Sequence, residues 1–212
     1  VTESSSGSSW GLGLLAAAGA GVLIFVGASS GGGGLEDGKR LDAPLPAAAL
    51  ADVASSVSLQ QGLGPSSIAI PALGVTARIG GATLENGQLT PPLDPGEVGS
   101  WQGSAPLDSA TGEVTLAGHV NYGGMGAFAF GRLAELHPGQ VVYTTDARSK
   151  QTAWRIASVV GRPKADGIDR AAFAGPAGPR ELSLITCGGT YEAASHSYDN
   201  NVYVTALPVP LG

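Results

Sequence analysis

The chain has 212 residues, a formal charge of −6 and only 13 % charged residues, which leaves room for one ordinary domain with appendages but would cramp two. A net negative charge without a basic, aromatic-interleaved face removes the main driving force for nucleic-acid binding. One cysteine excludes an internal disulfide framework and any thiol-rich metal cluster, and the scattered acidic residues lack cation-ligand spacing, so neither a metal nor a cofactor is expected.

A short tail, 1–9, comes first. From Trp10 to Ala28 the chain reads WGLGLLAAAGAGVLIFVGA, and no charged residue lies between Glu3 and Glu36. As a helix this stretch spans ~28 Å at about 1.5 Å per residue, close to a hydrocarbon core of about 30 Å. Its glycines are tolerated in lipid, where an unpaired amide has no water to turn to. A single transmembrane helix over 10–28 is therefore expected. A cleavable signal peptide is the rival, because the small residues before Ser29 suit a processing site. Lys39 and Arg40 fall on the side then taken as external, against the positive-inside tendency. Residues 29–65 begin SSGGGG and continue rich in Ala, Pro, Ser and Gly, a composition that buries too little to offset chain ordering and predicts a flexible linker.

Residues 66–212 make the folded domain. SIAIPALGVTARI, EVTLAGHV, QVVYTTD, TAWRIASVV, ELSLITC and NVYVTALPV are dense in β-branched, leucine and aromatic residues and are separated by Gly, Pro, Asp and Asn, which predicts at least six strands. GAFAFGRLAEL has helical spacing and stops at HPGQ, predicting a helix or helical turn. Many short strands with few helices give a mainly β class and a closed or nearly closed barrel.

Two side chains stand out. ELSLITC ends at Cys187, followed at once by Gly188 and Gly189, and EVTLAGHV brings His119 to the end of another apolar strand. Two strand ends at one rim of a barrel can pair a thiol with an imidazole. A free thiol is only a few per cent thiolate at neutral pH, and the imidazole supplies the activation that it lacks. Taken singly, Cys187 also fits a small buried hydrophobe and His119 a structural histidine. His196, in a polar loop, and His137, before Pro138, are expected to be exposed or in turns.

TLAGHV and LITCGG, in that order, resemble the motifs of the sortases, membrane-anchored cysteine transpeptidases of Gram-positive bacteria. IAIPALGV resembles the family's first strand, VGSWQGSAP and FAFGRLAELHPGQVV its flanking segments, and TCGG with HSYDNNVYV is most like the class F group of actinobacteria. The resemblance implies an eight-stranded sortase barrel. It implies Cys187 as the nucleophile that attacks the Thr carbonyl of an LPxTG-like sorting signal, expels the Gly and forms a thioester. His119 is implied as general acid and base. The expected partners are surface proteins bearing the sorting signal and an amine on a peptidoglycan precursor, with the domain held outside the cell on its membrane helix. Ala117 and Thr186 flank the pair and are placed in the sorting-signal groove on the same ground.

The chain departs from the family at one point. An Arg near the start of the last strand commonly stabilises the oxyanion, and here YDNNV offers no guanidinium. Arg132, in the connector after His119, is the first candidate for that role; an amide of Asn200 or Asn201 is the second, against simple turn chemistry there; Arg155 is the third. The same acyl-enzyme could be resolved by water, making a thiol hydrolase, and loss of the Arg also fits an inactive binding module on the same barrel.

Overall fold

A computed structural model describes residues 58–85, 88–122 and 126–212, together with the backbone of Ile24–Phe25. The tail at 1–9 and most of the proposed linker lie outside the described residues. So does the proposed span at 10–28 except for Ile24–Phe25. That pair is extended and forms a two-residue strand, β1, against β4 (Gln88–Thr90). No helix among the described residues is long and apolar enough to cross a membrane.

Eight strands close a barrel. They are β2 (Ser67–Ile70), β3 (Val75–Glu85), β5 (Glu97–Trp101), β6 (Glu113–Ala117), β7 (Val141–Thr145), β8 (Gln151–Pro163), β9 (Glu181–Glu192) and β10 (Ser197–Val209). The ring runs β3-β2-β7-β8-β10-β9-β6-β5 and returns to β3, with β4 and β1 added outside it on β3. Most neighbours are antiparallel; β3–β5 and β6–β9 are parallel. Closure leaves the ring without a free edge, which is how mainly β chains avoid an exposed pairing template.

Alternation along the strands divides the apolar residues between two clusters, as a period of two requires. The barrel interior takes Val114 and Leu116 of β6, Leu182 and Leu184 of β9, and Val202, Val204 and Ala206 of β10, packed with Ile68, Ile70, Trp154, Ile156 and Phe130. The residues between them point outward. Ala117, Ile185, Cys187 and Tyr203 form a second cluster on the outer face with Ala82, Leu89 and Ala172. Trp154 anchors the interior: it is fully buried, its Nε1 donates to Thr144 Oγ1 at 2.8 Å, and the Arg180 guanidinium lies 5.0 Å from its ring.

Each of the six predicted segments contains strand, with SIAIPALGVTARI split into β2 and β3 by the 3₁₀ turn Pro71–Leu73 and EVTLAGHV ending as strand at Ala117, and three readings change. Of the helix or helical turn expected in GAFAFGRLAEL, the turn forms, as one 3₁₀ turn at Leu133–Glu135; amides before it are used elsewhere, Phe128 N donating to Val120 O and Ala129 N to Pro95 O. Strand β9 does not end at Cys187 but continues to Glu192, since β10 pairs with it on both sides of that residue. Asp199, Asn200 and Asn201 belong to β10 rather than to a turn before it. Strand β5, unpredicted, closes the barrel; its Gly99 is required because a Cβ there would stand 2.7 Å from Ala82 Cβ.

Truncating Trp154 to Ala removes the largest side chain of the interior, and a loss of about 3–5 kcal/mol in unfolding free energy is expected. Urea denaturation measures it. A change below about 1 kcal/mol would mean that the barrel does not depend on this ring.

Candidate active site

The site lies where β6 and β9 part. Their parallel ladder sets Ala117 beside Ile185. One residue on, Gly118 N donates to Ile185 O at 3.0 Å and Thr186 Oγ1 donates to Gly118 O at 2.8 Å. His119 and Cys187 follow directly on each side of this last junction. Gly118 is required here, because a Cβ would meet the Phe130 ring at 2.7 Å. Phe130 thus wedges the end of β6 from below, while Phe128 packs its ring edge-to-face on the imidazole with centroids 5.6 Å apart.

His119 is 1 % exposed. Its Nε2 lies 3.2 Å from Pro91 O, and its Nδ1 is buried without a partner. A carbonyl only accepts, so Nε2 carries the proton of the neutral ring and Nδ1 presents the lone pair. Burial pushes this imidazole below its ordinary pKa, with the Pro91 bond acting in the other direction.

Cys187 is also 1 % exposed. The thiol donates to Asn201 Oδ1 at 3.8 Å, across the β9–β10 register pair Cys187–Asn201. Burial pushes it above the ordinary thiol pKa, while the charge of Lys164 and a hydrogen bond from it pull downward. The resting pair is therefore a thiol and a neutral imidazole, each one residue past the Gly118–Thr186 junction. No hydrogen bond joins them among the described residues.

The two glycines after the cysteine each answer a local demand. A Cβ on Gly188 would stand 2.6 Å from Val202 Cγ2, and Gly189 has φ +79° beside the β-bulge between Tyr198 and Asn200. In the same region Asn200 packs its amide over Gly189, whereas Asn201 is buried with Oδ1 on the thiol and Nδ2 donating to Tyr203 Oη at 3.4 Å. Of the two asparagines, only Asn201 reaches the sulfur.

The structure places the other residues singled out from the sequence as follows. Arg132 stands at the surface, its side chain half exposed, and its guanidinium binds Glu135 through Nε at 3.0 Å and Nη2 at 2.6 Å. It also lines a groove of about 360 Å³ with Leu73, Val75, Phe128 and others, and it is not among the partners of Cys187 or His119. Thr186 spends its hydroxyl on stapling β9 to β6, and Ala117 is fully buried beneath Cys187; neither offers a surface to a ligand in this state. Arg155 donates to Gly139 O at the far end of β8. His196 and His137 are exposed, as expected.

A turn that sequence reading missed packs as a cover on the outer-face cluster that holds Cys187. The 3₁₀ turn Arg170–Phe173 is tied to the outer face of the barrel at two points: Thr115 Oγ1 donates to Ala172 O at 2.9 Å, and Ala174 N donates to Glu113 Oε2 at 3.1 Å. Glu113 also accepts from Ser183 Oγ, and burial raises its carboxyl above the usual range. Trp101 meets Phe173 edge-to-face at 5.3 Å, and Asn121 Nδ2 donates to Tyr198 Oη at 2.8 Å, so the loop after His119 is bridged to β10. The one available signal was parity: Glu113 and Thr115 share the outward phase of Ala117, which is unusual for a buried carboxylate without a role.

Shortening the cover should expose the sulfur. Phe173→Ala is expected to raise the rate at which a small alkylating reagent labels Cys187 several-fold, followed by mass spectrometry; an unchanged rate would place the route to the sulfur elsewhere.

With this geometry in hand, comparison with known proteins is informative. A family model for the sortase domain matches residues 68–209. Among solved structures, the fold is similar to sortase C-1 from Actinomyces oris, at 19 % identity over 72 % of this chain and 78 % of that one, TM-score 0.51. It is similar to sortase E1 from Streptomyces coelicolor, solved with a tripeptide in the active site, at 21 % identity, 72 % and 91 % coverage and TM-score 0.51. It is also similar to sortase A from Corynebacterium diphtheriae, at 20 % identity, 72 % and 64 % coverage and TM-score 0.52. No match emerged among curated protein sequences.

Proposed function

The chain belongs to the sortase family, a family of cysteine transpeptidases, and from that premise we propose that it cleaves an LPxTG-like sorting signal between Thr and Gly through a thioester on Cys187 and passes the acyl group to an amine. The observation that carries this reading is the lone pair of His119 Nδ1, buried and unused one residue past the junction after which the only cysteine also follows. A structural histidine in that position would be expected to satisfy both nitrogens. The closer assignment to class F rests on the TCGG and HSYDNNVYV segments.

The chemistry runs from a neutral pair. As the scissile carbonyl is seated, the proton of the Cys187 thiol passes to His119 Nδ1 and the sulfur bonds to the carbonyl carbon. The resulting imidazolium returns that proton to the leaving glycine nitrogen as the C–N bond breaks. An incoming amine then attacks the thioester carbonyl, His119 Nδ1 accepts the proton that it sheds, and as the C–S bond breaks that proton passes to the departing sulfur and restores the thiol. Pro91 O holds the ring in the tautomer that these transfers need. Asn201 is the nearest amide to the sulfur, and turned over it would aim Nδ2 at the developing oxyanion. The acyl donors are surface proteins bearing the sorting signal and the acceptor is a peptidoglycan-precursor amine, with the enzyme held on the outer side of the membrane by the apolar stretch that precedes Ile24.

The test incubates the chain with a panel of LPxTG-like peptides and an amine and follows mass. A thioester adduct on Cys187 and an amine-linked product are expected, both absent in Cys187→Ala. Peptide hydrolysis without transfer would favour water as acceptor; neither adduct nor product across the panel would favour an inactive binding module.

Two variants separate the oxyanion candidates. Asn201→Ala is expected to lower kcat by about 10²–10³, the usual cost of one oxyanion donor, while Arg132→Ala leaves turnover close to that of the parent. The reverse pattern would return Arg132 to the mechanism.

The pH profile has a defined sign. His119 must be neutral to accept a proton, and burial depresses its pKa, so kcat/KM should hold its plateau through the ordinary imidazole range and fall only on its acid side. An acid limb above that range would contradict a neutral His119 as base.

A further inference from the structure

Cys187 stands in a cross-strand row, with Asn201 of β10 opposite it and Arg162 of β8 opposite Asn201. The amide of Asn201 is buried between two partners. Its Oδ1 accepts from the Cys187 thiol at 3.8 Å, and its Nδ2 donates to Tyr203 Oη, two residues on along the same face of the strand, at 3.4 Å.

The phenol oxygen is also held from the covering turn. Asp169 N donates to Tyr203 Oη at 3.3 Å. Asp169 is itself fixed, with Oδ2 3.0 Å from Arg162 Nε and Oδ1 accepting from Ala171 N at 3.1 Å. Both bonds at Tyr203 Oη are therefore accepted ones, and its own proton is given to no acceptor among the described residues. Burial pushes this phenol above its ordinary pKa, so that proton stays in place. A phenol is donor and acceptor at once, and so is a thiol. Asn201 thus lies between two groups that can each serve either end of an amide.

Only one of those two groups changes during acylation. Once the thiol has given up its proton, the sulfur and the oxyanion formed beside it can accept but no longer donate, and a carbonyl oxygen facing them loses its partner.

We propose that Tyr203 is a positioning residue that lets Asn201 turn over during acylation, its hydroxyl accepting from Nδ2 at rest and donating to Oδ1 once Nδ2 has swung to the oxyanion. This deepens the proposed function and rests on Cys187 as the nucleophile and Asn201 as the oxyanion donor. Asp169 N keeps its bond to the phenol oxygen in both states, so the turn of one amide and one hydroxyl proton is the whole rearrangement. Tyr203→Phe would leave the turned Oδ1 buried without a donor, a cost that falls on the charged step and not on the resting pair.

A kinetic cycle tests this. Tyr203→Phe is expected to lower kcat for peptide cleavage by about 5- to 150-fold, the rate equivalent of one buried acceptor left unpaired, while KM holds. In an Asn201→Ala background the same change is expected to have little further effect, because the amide through which it acts is gone. No loss in the parent, or equal losses in both backgrounds, overturns the proposal: the hydroxyl would then serve only Asp169 and the cover. Nitrogen-edited NMR follows the amide in the parent chain, before and after a methyl group on Cys187 leaves the sulfur without a proton to donate. The Asn201 Nδ2 protons, identified by their loss in Asn201→Ala, are expected to exchange their Overhauser contact with the Tyr203 ring for one with the methyl. Unmoved contacts overturn the proposal. An amide that turns in a chain that cleaves no peptide supports the switch and defeats the transpeptidase reading; cleavage with an amide that does not turn defeats the switch and leaves that reading standing.

Discussion

The parallel pairing of β6 with β9 is the constraint on which the site depends. Without it His119 and Cys187 are 68 positions apart in sequence; with it each follows directly on one junction, Gly118 to Thr186. A parallel pair cannot be closed by a tight hairpin, so the intervening chain must travel through β7 and β8 before returning. That long path supplies what the junction needs around it. The loop 126–130 seats Phe128 on the imidazole and Phe130 below Gly118, β8 ends beside the cysteine, and the segment before β9 becomes the cover. The antiparallel β9–β10 ladder then fixes Asn201 opposite the sulfur.

Burial sets the chemistry of this junction. Removing water disfavours the charged form of both groups, raising the thiol and lowering the imidazole. The two shifts point the same way, toward a neutral resting pair rather than a thiolate with an imidazolium. A thiol of this kind stays protonated and unreactive at rest, in keeping with a sulfur 1 % exposed. The same desolvation makes every fixed dipole and charge that remains near the sulfur count for more, since its field is less screened.

Much of this was legible in the sequence, and the exceptions have physical reasons. The strands announced themselves because β-branched runs sit between turn residues, and the two motif residues stood out because each followed an apolar run at a glycine. The stop placed at Cys187 came from reading Gly188–Gly189 as punctuation; in the barrel they are strand residues that make room for Val202 and a bulge. The segment 126–136 forms the shorter of its two expected outcomes, a helical turn, because apolar spacing there serves two different packing targets, Phe130 inward and Phe128 toward the imidazole. Arg132 drew attention as a cation near His119 in sequence, but Glu135 three residues on satisfies it locally. Glu113, Lys164 and the cover could not be read, because their partners, Ala174, Ser197 and Thr115, are joined to them only by the closed barrel.

The most direct measurement of the central claim is nitrogen NMR of the three imidazoles before and after Cys187 is blocked by a small alkyl group. The account predicts that His119 is the histidine whose resting spectrum shows the proton on Nε2 and Nδ1 unprotonated, and that its Nδ1 signal moves on modification while His137 and His196 stay in place. A His119 spectrum indifferent to the state of the sulfur, or a ring protonated on Nδ1 at neutral pH, would contradict it.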